Sequence, residues 1–388
     1  MRKLRRTVGA VVMAVLLAGC SSSTNSARPP TTKTTPAYGQ RGPDHVGVTT
    51  LDLGSAGPLF GERMATVFYP IETKPCPGPC NAASTSSSPS FSYTQSQTLP
   101  TALQGVLPPQ FNTTQVIDAW ENVRSGTSRP YPVVLFSHGY GGERLYYSNL
   151  LAGIASWGYV VVSADYLERG LASQTIKNAP KPSPAIDQAV MFSSLAAAEK
   201  ASADPASPLY GALDASKVAA VGHSAGGGTA FNALRSPKVA TAIGWAPVPP
   251  SGKASRKPVM LIGAEGDIAV KPSSVKNTYG SFGGQKSLVE VSGEGHNTYT
   301  DICVGIRNGG GLINFAVANH FTSPRLAQLG INGCEAKDIN PTRFWPIVQY
   351  YTVFQLKNVF AGHAGKNPVP IPAPGSFPGF KVSVTQAN

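Results

Sequence analysis

The chain has 388 residues, 32 basic against 20 acidic side chains for a net charge of +12, and 41 Gly and 34 Pro. That length suits one large α/β domain with extras, or two smaller domains, and the Gly and Pro content predicts many turns. No basic stripe interleaves with aromatic residues, which argues against a nucleic-acid partner despite the charge.

Met1-Arg-Lys-Leu-Arg-Arg6 is a positive leader and Val8 to Ala18 a short apolar run, the pattern of an export signal. The run is too short to span a bilayer as a mature helix. It ends in Leu17-Ala18-Gly19-Cys20, with Ser21-Ser22-Ser23 following, and resembles the lipobox of bacterial lipoproteins. The resemblance implies removal of residues 1–19, lipidation of Cys20 and anchoring to the outer face of the cytoplasmic membrane. The alternative is an ordinary secretory signal with a cysteine nearby. Loss of 1–19 leaves 28 basic residues against 20 acidic, a charge of +8. That suits an anionic lipid surface or simply a solvated basic face. Four cysteines then remain, and an even number in an exported protein predicts two disulfides. Local pairing gives Cys76–Cys80 and Cys303–Cys334. The C-x3-C spacing has no His or second Cys pair beside it, so no metal is expected there.

Residues 20–43 are Ser/Thr/Pro-rich and read as a tether. The folded domain is expected over 44–363. Strand patterns follow at Val46–Leu53, Ala65–Tyr69, Val133–Ser137, Tyr159–Ala164, Lys217–Gly222, Val239–Gly244, Val259–Gly263 and Ser287–Val291. Helical patterns lie at Arg144–Trp157, Ser183–Ala203, Ala225–Leu234, Pro272–Phe282 and Trp345–Phe360. From Val133 onward the strands are short and apolar on both faces. The alternation predicts an α/β fold, a mostly parallel eight-stranded sheet flanked by helices. Residues 71–130 interrupt it as an insertion, either a flap near the site or a surface excursion. Residues 364–388 read as an irregular Pro-rich tail.

Lys217 to Gly228 reads KVAAVGHSAGGG. An apolar strand runs into Gly222-His223-Ser224-Ala225-Gly226 and a helix follows, which makes G-x-S-x-G a nucleophile elbow. A serine hydroxyl is a weak nucleophile until geometry and a base activate it. The elbow lifts Ser224 clear of the sheet, and the flanking glycines let strand and helix approach.

The elbow requires an acid and then a histidine later in the chain. His296 lies in Ser-Gly-Glu-Gly-His-Asn directly after the last apolar strand, where the base belongs. His320 sits at a helix end and His363 in the tail region. For the acid, Asp267 follows the strand Val259–Gly263, with Glu265 in reserve; Asp301 comes after His296 and breaks the order. The oxyanion donors are expected to be the amides of Ala225 and of Tyr140, in the loop Ser137-His138-Gly139-Tyr140-Gly141-Gly142. His138 and His223 read as structural neighbours of these motifs. Tyr140 and Trp245 are candidate pocket walls.

VVLFSHGYGGERLYYSNLLAGIASWGYVVVSADY, VAAVGHSAGGG, VMLIGAEGD and GEGHNTYTD together resemble the platelet-activating-factor acetylhydrolases. They are also similar to the dienelactone-hydrolase-like and cutinase or polyester-hydrolase branch. The resemblance covers roughly residues 46–360. It implies an α/β-hydrolase fold and a serine esterase with no metal or cofactor, and short to medium acyl esters fit the family; lipid esters are a further expected substrate, and the protein is expected to be a monomer. Carried over by motif, Ser224 is nucleophile, Asp267 acid and His296 base. Ala225 departs from the bulkier residue usual after the nucleophile, and the insertion has no counterpart; both bear on substrate. Amide, thioester or polyester cleavage by the same triad, and a non-catalytic envelope binding lipoprotein, are the alternatives.

Overall fold

Strands that are apolar on both sides need helices over both faces. A computed structural model of the chain describes residues 36–71, 91–99, 104–126, 129–308, 311–362 and 375–388. The export signal, Cys20, most of the tether, Cys76, Cys80 and His363 lie outside the described residues. The strands are β1 (His45–Ser55), β2 (Glu62–Ile71), β3 (Ser92–Thr94), β4 (Thr114–Val116), β5 (Trp120–Glu121), β6 (Tyr131–Ser137), β7 (Val160–Ala164), β8 (Leu213–His223), β9 (Val239–Trp245), β10 (Val259–Ala264), β11 (Lys286–Val291) and β12 (Val382–Ala387). β3 and β4 form a small hairpin sheet, and the other ten make one sheet in the order β12-β11-β10-β9-β8-β6-β7-β2-β1-β5. From β7 through β11 neighbouring strands are parallel; β2 and β12 pair antiparallel with the two ends of that block.

The sheet thus has ten strands among the described residues, not the expected eight. The two additions are edge strands with little periodic signature. β5 is two residues long, laid parallel on β1. β12 corrects the irregular tail: Val382 and Val384 pack on the core while Ser383 and Thr385 point out, an alternation short enough to be hidden behind the prolines. The expected tether also ends early. Tyr38 stacks edge-on against Trp157 at 4.9 Å, and its carbonyl accepts from Gln349 Nε2 at 2.9 Å, so the chain is packed on the domain before residue 43.

The helices are α1 (Ser148–Ala155), α2 (Leu171–Thr175), α3 (Pro184–Ala203), α4 (Ala225–Ala233), α5 (Pro272–Ser281), α6 (Asp301–Asn308), α7 (Leu312–Ala318), α8 (Pro324–Gly330) and α9 (Pro341–Phe360). Period-two alternation divides the core. Val134, Phe136, Ala219 and Val221 face α1 and α9, while Val133, Leu135, Val218 and Ala220 face α3, α4 and α5. Ser183 starts α3: its hydroxyl accepts from the Ile186 amide at 3.2 Å, and Pro184 takes the first helical position. Among the described residues no helix is long and apolar enough to cross a membrane.

The insertion is anchored rather than loose over its described part. Phe91, Tyr93, Ile117 and Ala119 are buried in the α1/α9 side of the core. Of the helices α6 to α8, the sequence expectations held only a helix end at His320, just past the close of α7 at Ala318. They form a cap after His296, and a disulfide joins its two ends, Cys303 and Cys334.

Candidate active site

β8 runs up the middle of the sheet, stops at His223, and α4 starts at Ala225. Ser224 makes the reversal alone, with φ 56° and ψ −120°. A positive φ on a residue with a Cβ is strained and persists only where the surroundings enforce it. Here the Ser224 amide donates to Trp245 O at 2.9 Å, and its carbonyl accepts from Gly227 and Val248. The two glycines of the motif are required by contact. A Cβ on Gly222 would lie 2.1 Å from Gly226 O, and one on Gly226 would lie 1.9 Å from Ser137 O.

Asp267 leaves the end of β10 and His296 the end of β11, so adjacent parallel strands deliver them to one side. Asp267 Oδ2 lies 2.7 Å from His296 Nδ1, and both residues are buried. The other oxygen, Oδ1, accepts from the amides of Ala269 and Val270 at 2.8 and 2.7 Å, which fixes the carboxylate. Since Oδ2 accepts, Nδ1 carries the ring proton of neutral His296 and leaves Nε2 as a base. Glu265 is exposed on the same turn. Asp301 is buried elsewhere, accepting from Asn149 and Tyr93, and does not touch His296. Ser224 and His296 open onto one cavity of about 330 Å³. His320 is exposed and is not among the residues lining the cavity, although its neighbours Phe321 and Thr322 are.

Tyr140 is exposed and lines the cavity mouth. Trp245 does not line it, contrary to expectation. It is fully buried between Phe136 and Tyr299, with Nε1 donating to Thr352 at 3.1 Å. Its place at the end of β9 puts it under the elbow instead of beside it.

Four residues the sequence did not single out for such roles position these groups. Asn332 clamps the acid and base loops. Its Oδ1 accepts from the amides of His296 (2.7 Å) and Ile268 (3.1 Å), while Nδ2 donates to Gly266 O at 3.1 Å. An Asn-Gly turn was the only sequence signal. His223 and Tyr147 form a relay of hydrogen bonds. His223 Nε2 faces the His296 carbonyl at 2.9 Å and must donate, so Nδ1 accepts from Tyr147 Oη at 2.8 Å, which in turn accepts from the Gly139 amide at 3.4 Å. Burial, reinforced by His296, pushes His223 well below histidine's ordinary pKa and keeps it neutral.

Arg169 is the fourth. Fully buried, it donates to His138 O from Nε (3.1 Å) and Nη2 (2.9 Å) and to Ser137 Oγ at 2.5 Å. Nη1 pairs with Asp187 and reaches Thr229 on α4 at 3.3 Å, and the guanidinium stacks over Tyr166 at 4.0 Å. Its own carbonyl accepts from the Gly141 amide at 2.8 Å. His138 is held neutral, pushed down to about 3 by burial and then by Arg169. Its Nδ1 donates to Gly139 O and its Nε2 accepts from the Tyr166 amide. His138 and His223 therefore shape the two loops from behind.

Glu294, two residues before His296, is buried, and among the described residues neither carboxyl oxygen has a hydrogen-bond partner; the nearby Thr298 hydroxyl is committed to Gly295 O at 3.1 Å. Burial raises its carboxyl to about 7. As pH rises from about 4.5 the unfolded chain ionises first, so the folded state loses stability up to about pH 7. Glu294→Gln is expected to be more stable than the parent by roughly 2–3 kcal/mol at pH 8 and equal to it at pH 4. Urea midpoints at both pH values check this; a gap independent of pH refutes it.

Residues 123–265 match the family model of the chlorophyllases. The match covers somewhat over a third of the chain, includes Tyr140 and Ser224, stops just short of Asp267 and does not reach His296. Comparison with curated proteins found no match. The fold is that of the α/β-hydrolases, and the match supports a hydrolase acting on esters.

Proposed function

We propose that the chain is an exported serine hydrolase that cleaves carboxylic esters and is held to the cell envelope by a lipid on Cys20. One observation carries the chemistry: the buried Asp267–His296 pair, hydrogen-bonded at 2.7 Å, opens onto the same cavity as a serine held at φ 56°. In this reading Ser224 Oγ attacks the ester carbonyl while His296 Nε2 takes its proton, and Asp267 stabilises the imidazolium. The oxyanion falls to two amides. Ala225 opens α4, so its N–H has no partner within the helix. Gly139, Gly141 and Gly142 spend theirs on Tyr147 Oη, Arg169 O and Gly139 O, which leaves Tyr140 as the loop's donor. The intermediate collapses, His296 protonates the departing alkoxide, and water repeats the sequence on the acyl-enzyme to release the acid. The sequence resemblance to platelet-activating-factor acetylhydrolases and polyester hydrolases agrees with this order of residues.

A fluorophosphonate tests the nucleophile directly. It is expected to add covalently to the Ser224 peptide of the full chain, read by mass spectrometry, with hydrolysis of p-nitrophenyl esters lost in step. Labelling elsewhere, with Ser224 unmodified, would count against the mechanism. The anchor has a separate check: Cys20→Ala should move the protein from the membrane fraction to the medium, and continued sedimentation with membranes rules the lipid out.

A further inference from the structure

The cavity indicates what kind of ester enters, an inference that rests on the esterase reading. Its floor is Ser224 and His296. Its roof comes from two segments distant in sequence, the insertion and the cap, which meet where Phe111 packs on Phe315 at 5.6 Å. The cap presents Ile302, Ile306, Leu312 and Phe315 to the cavity, and the insertion presents Leu99 and Leu107. All six are only partly buried, so apolar surface that a core would have covered faces an open space. Among the described residues no Asp, Glu, Lys or Arg lines it. The mouth is apolar as well: Val106, Tyr140 and Leu326 line it while 46%, 56% and 41% exposed.

We propose that the substrate is a neutral lipid ester whose hydrocarbon arm lies beneath the cap, against Ile306, Leu312 and Phe315. A charged group on that arm would be stripped of water with no counter-charge to meet it. A hydrocarbon completes the contacts these side chains lack. The arm belongs either to the acyl group or to the alcohol, and two substrate series separate these: p-nitrophenyl esters from acetate to dodecanoate, and acetates from ethyl to dodecyl.

With the full-length protein, kcat/KM is expected to climb about three- to fourfold per added methylene along one series until the cavity is filled. It should stay flat along the other. Ile306→Trp, and independently Leu312→Trp, should each cut the ratio of long-chain to acetate activity by about tenfold, as bulk occupies the arm's space. An arm ending in a carboxylate should lose about a hundredfold against its methyl-ended counterpart. Ser224-dependent acetate hydrolysis with both series flat or falling overturns the proposal and leaves the esterase reading intact. The same holds if the carboxylate arm is accepted equally or if neither Trp variant changes the length ratio. Absence of Ser224-dependent turnover on every ester overturns the esterase reading, and this inference with it.

Discussion

Ser224→Ala is expected to lower kcat on any accepted ester by at least about a thousandfold, with the urea midpoint nearly unchanged. The fold does not depend on the hydroxyl. Backbone bonds to Trp245, Gly227 and Val248 hold the turn, and an alanine keeps all three. The φ of 56° is equally awkward for Ala, so the strain is neither relieved nor increased. Removing His296 should be about as damaging, and removing both scarcely worse, because nucleophile and base act as one unit. Asp267→Asn should be severe too: the amide at Oδ2's position can turn its NH2 toward Nδ1 and favour the wrong tautomer. Wild-type turnover by Ser224→Ala would sink the mechanism. A large fall accompanied by global unfolding would instead move Ser224 from chemistry to structure.

Arg169→Ala should be the most destabilising of the polar substitutions considered, by about 3–5 kcal/mol. It leaves the half-buried Asp187 carboxylate with the Thr229 hydroxyl, 2.9 Å away, and no cation, and removes the donors serving Ser137 Oγ and His138 O in one step. Burial works against both charges, lowering the Arg169 pKa and raising that of Asp187, so the hydrogen bonds that Arg169 donates and the one Thr229 gives to Asp187 help hold the pair. Arg169→Lys should recover little, since one ammonium cannot serve Ser137, His138, Thr229 and Asp187 in that planar arrangement. Urea unfolding gives the energy. Activity gives a second readout: with the His138 carbonyl released, the loop carrying Tyr140 should loosen and kcat fall more than KM rises. A loss below about 1 kcal/mol would refute the buried-pair account.

What was legible in the sequence follows the physics of each signal. The parallel strands announced themselves because both faces are buried, leaving uninterrupted apolar runs such as Val133–Phe136. The elbow was legible because its glycines answer to contacts no other residue survives. Asp267 and His296 could be placed because each follows a strand in a required order, and the structure sets them side by side. Of the cap only the helix end near His320 was legible. Its helices are seven or eight residues long and turn apolar side chains toward a cavity instead of the core, so their length does not stand out. Arg169, in Leu-Glu-Arg-Gly, looks like a surface residue, and its burial in a turn depends on Asp187 arriving from α3. Asn332 shows in the sequence only as an Asn-Gly turn, because its side chain's partners are all distant in sequence.

The Cys303–Cys334 bond ties the cap to the turn that carries Asn332, and Gly333 in that turn packs against Gly295, next to the base. A swing of the whole cap about this bond would pull on the clamp that seats His296 and Asp267. Opened wide, the protein would be disarmed. In the esterase reading, substrate is therefore expected to enter at the rim, past Val106, Tyr140 and Leu326, with the cap's attachment to the clamp left in place.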